Sequence, residues 1–196
     1  MVVLRGDLIK CVVLGDDNVG KTSMLMNYAT NRFPSQHVPS LFDNYAGSVL
    51  LAGKQYTLQM LDTSEQDESD EARRQSYPGA DVFVVCFSLV QPESFRNVQE
   101  RWIPEIRERM GETPFILVGT QADLRDDESI VNELRTKGYR PMTTREASAY
   151  SRHLGAAYYV ECSPVMKKRL RRVINDAFVS VFSHKNEQNK PGCTIL

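Results

Sequence analysis

Three short stretches carry residue types that could do chemistry together. The first is GDDNVGKT, Gly15 to Thr22, which satisfies G-x-x-x-x-G-K-[ST] between an apolar β-rich run and a helical pattern. Glycine permits the tight turn, and successive N–H groups can surround phosphate oxygens. Lys21 neutralises their charge, and the Thr22 hydroxyl can ligate Mg²⁺. Gly15, Asp17, Asn18, Val19, Gly20, Lys21, Thr22 and Ser23 are therefore the phosphate-side candidates. Alone, this loop specifies a nucleoside triphosphate and no base. The second stretch is TQAD, Thr120 to Asp123, which directly follows an apolar strand and is followed by Leu124. The Asp123 carboxylate can accept from guanine N1–H and the 2-amino group. Adenine offers neither donor there, so it would leave the carboxylate unpaired, at about 1–3 kcal/mol or more. The third is ECSP, whose Cys162, Ser163 and Pro164 form another loop able to present backbone N–H groups to the guanine oxygen.

These loops need a sheet to carry them. LIKCVVLG (8–15) reads as a strand running into the glycine-rich turn, and NYAGSVLLAGKQYTLQMLD as two strands joined at Gly53-Lys54. DVFVVCFSLV and PFILVGT are nearly all apolar, as strands covered on both faces should be. AAYYVECS supplies a last strand. Between them lie helical patterns. Pro92 can open PESFRNVQERWIPEIRERM, in which Pro104 implies a kink or local break. TTREASAYSRHLG carries a cap signal at Thr144 and a stop at Gly155. VMKKRLRRVINDAFVSVF places Val165, Leu170, Val173, Ile174, Ala177, Phe178 and Val181 at helical spacing. Alternation of strand and helix predicts an α/β fold with a doubly wound, mostly parallel six-stranded sheet and helices on both faces. One domain over 1–183 and a flexible polar tail over 184–196 are expected.

Bulk properties exclude some classes. A net charge of −1 gives no electrostatic reason to expect a nucleic-acid partner. No apolar run approaches the length of a spanning helix, and the charged start MVVLRGDLIK does not read as a signal peptide. The four cysteines lack metal-type spacing, and Cys11 and Cys86 sit in apolar runs, so a reduced cytosolic setting is expected.

With its three loops in order, the chain resembles a Ras-superfamily small GTPase. FPSQHVPSLFDNYAG, DVFVVCFSLVQPESFRNVQERWIPEI, TPFILVGTQADLRDD and the closing CTIL make it similar to the Rho/Rac branch. The resemblance implies a P-loop NTPase small G domain with a helical Rho-type insert at about 125–140. It implies binding of GTP/GDP with Mg²⁺, by a monomer acting as a signalling switch in actin organisation, polarity or membrane traffic. By position, Lys21 and Gln66 are its catalytic residues, Gln66 orienting the attacking water. Thr22 and Ser40 ligate Mg²⁺, and Asp62 holds a metal-bound water. Gln121, Asp123, Ser163 and Pro164 face guanine, although the usual alanine at the last position would keep an N–H that proline lacks. His37, Leu41, Phe42, Asp43, Asn44 and Tyr45 form the effector segment. The implied partners are effectors, exchange factors, GTPase-activating proteins and a dissociation inhibitor.

Two departures bear on turnover. Asp17 stands where most relatives have glycine, and its side chain would project toward the γ-phosphate and the path of an arginine finger. Such a finger is worth roughly 10³ to 10⁵ in rate, so slow, activator-resistant hydrolysis is expected. Glu65 replaces a glycine whose peptide must turn when GTP arrives, which predicts weak closure. One change favours persistence of GTP, and the other a failure to respond to it. A guanine-nucleotide-binding scaffold without turnover is thus the second reading; a P-loop kinase or ATPase is disfavoured by TQAD. The positions that hold apolar anchors in relatives are here Ser69, Ala72 and Gln75, which should weaken regulator binding.

CTIL reads as a C-a-a-X motif with leucine last, pointing to geranylgeranylation of Cys193. With little other membrane signal than Lys185 and Lys190, reversible anchoring is expected. The expected location is the cytoplasmic face of the plasma membrane or endomembranes, in exchange with cytosol. KKRLRR (167–172) reads as a solvated face or partner contact rather than a lipid patch.

Overall fold

The structure is a computed structural model that describes residues 8–30, 44–51, 53–63, 70–163, 165 and 169–188. Strands β1 (Leu8–Leu14), β2 (Asn44–Leu51), β3 (Lys54–Asp62), β4 (Val82–Ser88), β5 (Phe115–Thr120) and β6 (Tyr158–Glu161) form one sheet in the order β2-β3-β1-β4-β5-β6. Strands β3, β1, β4, β5 and β6 run parallel, and β2 pairs antiparallel with β3. Because the five run the same way, the ends of β1, β3, β5 and β6 that lead into the chemistry-bearing loops share one edge, where ligands of open α/β sheets bind.

Residues of the central strands alternate between two cores, as the two-residue strand period requires. Cys11, Val13, Val84, Cys86, Ile116 and Val118 face one side, packed on Met24 and Leu25 of α1 (Lys21–Thr30) and on α7 (Leu170–Gln188). Val12, Leu14, Phe83, Val85, Phe87 and Leu117 face the other. There they meet α3 (Pro92–Asn97), α4 (Ile103–Met110) and α6 (Thr144–His153). Both faces are therefore covered, which explains the unbroken apolar runs of β4 and β5.

Pro104 does break its helix, in a specific way. Between α3 and α4 the chain forms a π-helical turn, Val98–Trp102, in which Ile103 N–H donates to the Val98 carbonyl. The widened turn takes up the clash a proline ring makes with the carbonyl four residues back. The cap of α6 differs from expectation. Thr143, not Thr144, is the N-cap, in a reciprocal box with Glu146. Thr143 can do this because it is extended (φ −79°, ψ 154°), whereas Thr144 is already inside the helix. Val165 is exposed in a turn ahead of α7 rather than on that helix's apolar face. α7 itself runs to Gln188, past His184, so the domain's last helix extends into the segment read as tail. The separate helix α5 (Glu128–Thr136) follows β5, its start capped by Asp127 accepting from Ser129 and Ile130 N–H. Short α2 (Asp70–Arg74) precedes β4.

Candidate functional site

The phosphate loop leaves β1 at a glycine that no other residue could replace. Gly15 has φ 142°, and a Cβ there would lie 2.2 Å from the Cys86 carbonyl oxygen. Asn18 (φ 59°) and Gly20 (φ 92°) turn the loop back to α1. Lys21 is almost fully buried at the helix start. Its Nζ donates to the Gly15 carbonyl at 2.7 Å and the Asp16 carbonyl at 2.8 Å, placing the ammonium inside the loop. Thr22 and Ser23 follow in the first turn of α1, half-buried. Asp62 ends β3 opposite Val13 and is buried, and the next residue's hydroxyl, Thr63 Oγ1, donates to the Val13 carbonyl at 2.8 Å.

The base-side loops are tied to the phosphate loop. Thr120 Oγ1 lies 2.5 Å from the Val19 carbonyl and 2.9 Å from that of Phe87. Gln121 (φ 56°) donates through Nε2 to the Asn18 carbonyl at 3.1 Å, while its Oε1 accepts from Ser88 Oγ at 2.5 Å. Asp123 borders a cavity of about 310 Å³ shared with Ala122, Arg125, Glu161, Ser163 and Arg169. Its Oδ1 is buried and has no hydrogen-bond partner among the described residues. A buried acceptor left unpaired costs about 1–3 kcal/mol, so such an atom marks a place where a donor is meant to arrive. Guanine's N1–H and 2-amino group are donors of that kind.

Behind Asp123, Glu161 holds the base loops in place. It accepts from Arg125 Nη2 at 2.7 Å and Nη1 at 3.0 Å, from Thr144 Oγ1 at 3.0 Å and from Tyr159 OH at 2.9 Å. Burial works to raise the Glu161 carboxyl, but the Arg125 and Tyr159 donors outweigh it and hold the group below its ordinary range. Cys162 points inward. Its thiol is buried against Met24 Sδ at 3.9 Å, and burial pushes it up to about 12. Its N–H is committed to the Gly119 carbonyl, leaving no backbone donor for a nucleotide. Ser163 is fully buried beside it.

Two further expected residues lie away from the base cavity. Leu124, its N–H bonded to the Gln121 carbonyl, lines a separate recess with Asp17, Pro92, Ile130 and Leu134. Asp17 is exposed on that recess's rim. His37, Ser40, Leu41, Phe42, Asp43, Glu65, Gln66, Pro164 and Cys193 fall outside the described residues. So do the side chains of Asn44 and Tyr45, which lie on β2. Ala72 and Gln75 are exposed on and just after α2.

The sequence reading missed Asp16, one of the unassigned positions of the loop motif. Its Oδ1 accepts from Trp102 Nε1 and its Oδ2 from Asn97 Nδ2, both at 2.7 Å. It also missed the anchoring of α2. Arg73, with no exposed surface, donates to both oxygens of Glu105 (3.0 and 2.8 Å) and to Asp70 (2.8 Å). Tyr77 OH donates to Glu105 as well. The lone tryptophan and the proline of WIPEI were the available signals, since both are unusual in the middle of an otherwise amphipathic helix.

The chain matches the Ras family over residues 10–183, from within β1 to within α7. It belongs to the Ras family, and is a small GTP-binding protein of the switch class. The fold explains why so much of it is matched: the phosphate loop, the base loops and α7 are all parts of the one sheet-bound unit.

Proposed function

We propose that this protein is a Rho-type GTP/GDP switch, anchored to the cytoplasmic face of a membrane through a geranylgeranyl group on Cys193, with slow GTP hydrolysis. The unpaired, buried Asp123 Oδ1 carries the guanine assignment. Helix α5, directly after the Asp123 loop, and the Rho-like stretches of sequence support the branch; CTIL supports the anchor. Lys21 sits where phosphate oxygens can replace two carbonyl acceptors with charged ones, which strengthens its hydrogen bonds. Thr22, a hydroxyl in the first turn of α1, and Ser40 are oxygen donors that would hold Mg²⁺, and the Asp62 carboxylate at the end of β3 would hold a water bound to that ion. Bound there, the ion would neutralise charge at the phosphates. Arg125, Glu161 and Thr120 fix the base loops and so orient Asp123. Effectors and regulators are partners of this reading, as is a dissociation inhibitor that would cover the lipid.

Asp17 and Glu65 favour slow turnover, and together they favour the second reading, a guanine-nucleotide-binding scaffold that does not hydrolyse GTP. Mass analysis of the nucleotide that co-purifies with the full chain, followed by single-turnover hydrolysis, separates the two. Measurable hydrolysis that accelerates in Asp17→Gly and Glu65→Gly supports the switch. Bound GTP that neither change can turn over supports the scaffold. A protein prepared with Mg²⁺ that retains no guanine nucleotide overturns both.

A further inference from the structure

Two sites that a nucleotide switch must connect are here one residue apart. The phosphate loop is held from behind by Asp16, whose two carboxylate oxygens take one donor from the end of α3 (Asn97) and one from the π-helical turn that follows it (Trp102). That arrangement depends on the π-helical turn. In it Ile103 N–H donates to the Val98 carbonyl five residues back, and Asn97 and Trp102, also five residues apart, both reach the same carboxylate. Trp102 is buried, and the Arg73 guanidinium lies 4.9 Å from its ring centroid, with that of Arg101 at 4.4 Å. Both distances are within cation–π range. Arg101 and Arg73 meet again on the Asp70 carboxylate, each at 2.8 Å, and Arg73 continues to Glu105. The path from the phosphate loop to α2 is therefore Asp16, Trp102, Arg73.

We propose that Trp102 is a positioning residue that couples the phosphate loop to α2, holding Asp16 by its indole N–H and carrying Arg73 on its ring. The proposal rests on the guanine-nucleotide reading above. It assigns Asp16 a task distinct from that of its neighbour Asp17. A carboxylate in a phosphate-binding loop repels the ligand unless its charge is held elsewhere, and the two donors hold that of Asp16 on the helix side. A shift of the loop pulls on the indole, and the indole moves with the arginines that anchor α2. Conversely, loosening Arg73 releases the indole and slackens the loop.

The coupling is tested by release of a fluorescent GDP analogue from the full-length protein in Mg²⁺, comparing Asp16→Asn, Glu105→Gln and the double variant. Asp16 and Glu105 share no hydrogen bond, so independent effects would multiply. Each single change is expected to speed release about tenfold, and the double change by about the same factor rather than a hundredfold. Multiplying effects, or a Glu105→Gln protein that releases nucleotide at the wild-type rate, overturns the proposal. Trp102 is the chain's single tryptophan, so its emission is a second readout that survives poor folding of a variant. In the wild type, emission is expected to differ between GDP and a non-hydrolysable GTP analogue; identical spectra overturn the coupling. Failure of the wild type to retain any guanine nucleotide shows itself before any variant is compared, and overturns the functional reading instead.

Discussion

The two ends of the nucleotide cleft are built by different means. The phosphate end is fixed mainly by backbone shape. Gly15 is pressed against the Cys86 carbonyl, and Lys21 is held by carbonyls of its own loop. The base end is fixed by side chains: Thr120 and Gln121 reach across to the phosphate loop, and Glu161 gathers Arg125, Thr144 and Tyr159. Backbone shape tolerates almost no substitution at its key point. A side-chain network loses its members one at a time and can titrate.

Breaking the phosphate end should have the largest effect. Gly15→Ala forces a Cβ into backbone at a positive φ, and is expected to cost about 3 kcal/mol of stability or to abolish folding. Thermal or urea unfolding measures it, and a wild-type melting point would contradict the steric account. At the base end, Asp123→Ala should leave the fold intact and weaken guanine nucleotide binding by about 2–3 kcal/mol, on the order of a hundredfold. Equilibrium titration of a fluorescent GDP analogue reads this, and unchanged affinity would move the base elsewhere. Thr120→Val keeps volume but removes the latch to the Val19 carbonyl, leaving a buried carbonyl short of a donor. About 1–2 kcal/mol of stability should be lost, by denaturant titration, with a matching rise in nucleotide release.

The smallest effect sharpens the titration argument. Glu161 is held below its ordinary value of 4.5, so the stability it contributes is fully present above that pH. That contribution is lost as pH falls through the lowered folded value. Glu161→Gln should lower the melting temperature at neutral pH and make the decline below pH 4.5 shallower than in the wild type. Parallel acid profiles for the two proteins would show that Glu161 is not a source of the decline. Glu105 is lowered too, because donors from Tyr77 and Arg73 outweigh burial, so some acid sensitivity remains in the variant.

The contrast between the ends also explains what could be read from sequence. GDDNVGKT and TQAD were legible because a phosphate cradle and a base acceptor are local: fixed spacings within one turn, placed after apolar strands. The strands themselves were legible because burial on both faces writes continuous apolar runs. Asp16 with Trp102 was not legible, since the partners are 86 positions apart and Asp16 occupies a position the motif leaves unrestricted. Arg73 was hidden by its surroundings: in the charged run EQDESDEARR it reads as one more solvated residue, yet it is fully buried by Glu105 and Trp102. The cap of α6 slipped by one residue because Thr143 and Thr144 are chemically equal, and the backbone angle alone separates them.

Helix α7 begins next to the base cavity, and its Phe178 and Phe182 pack on Tyr56 near the opposite end of β3. Its 19 residues make a rod roughly 28 Å long. The rod is a stand-off. At Gln188 the chain stands a full helix length from the base loops beside which the helix begins.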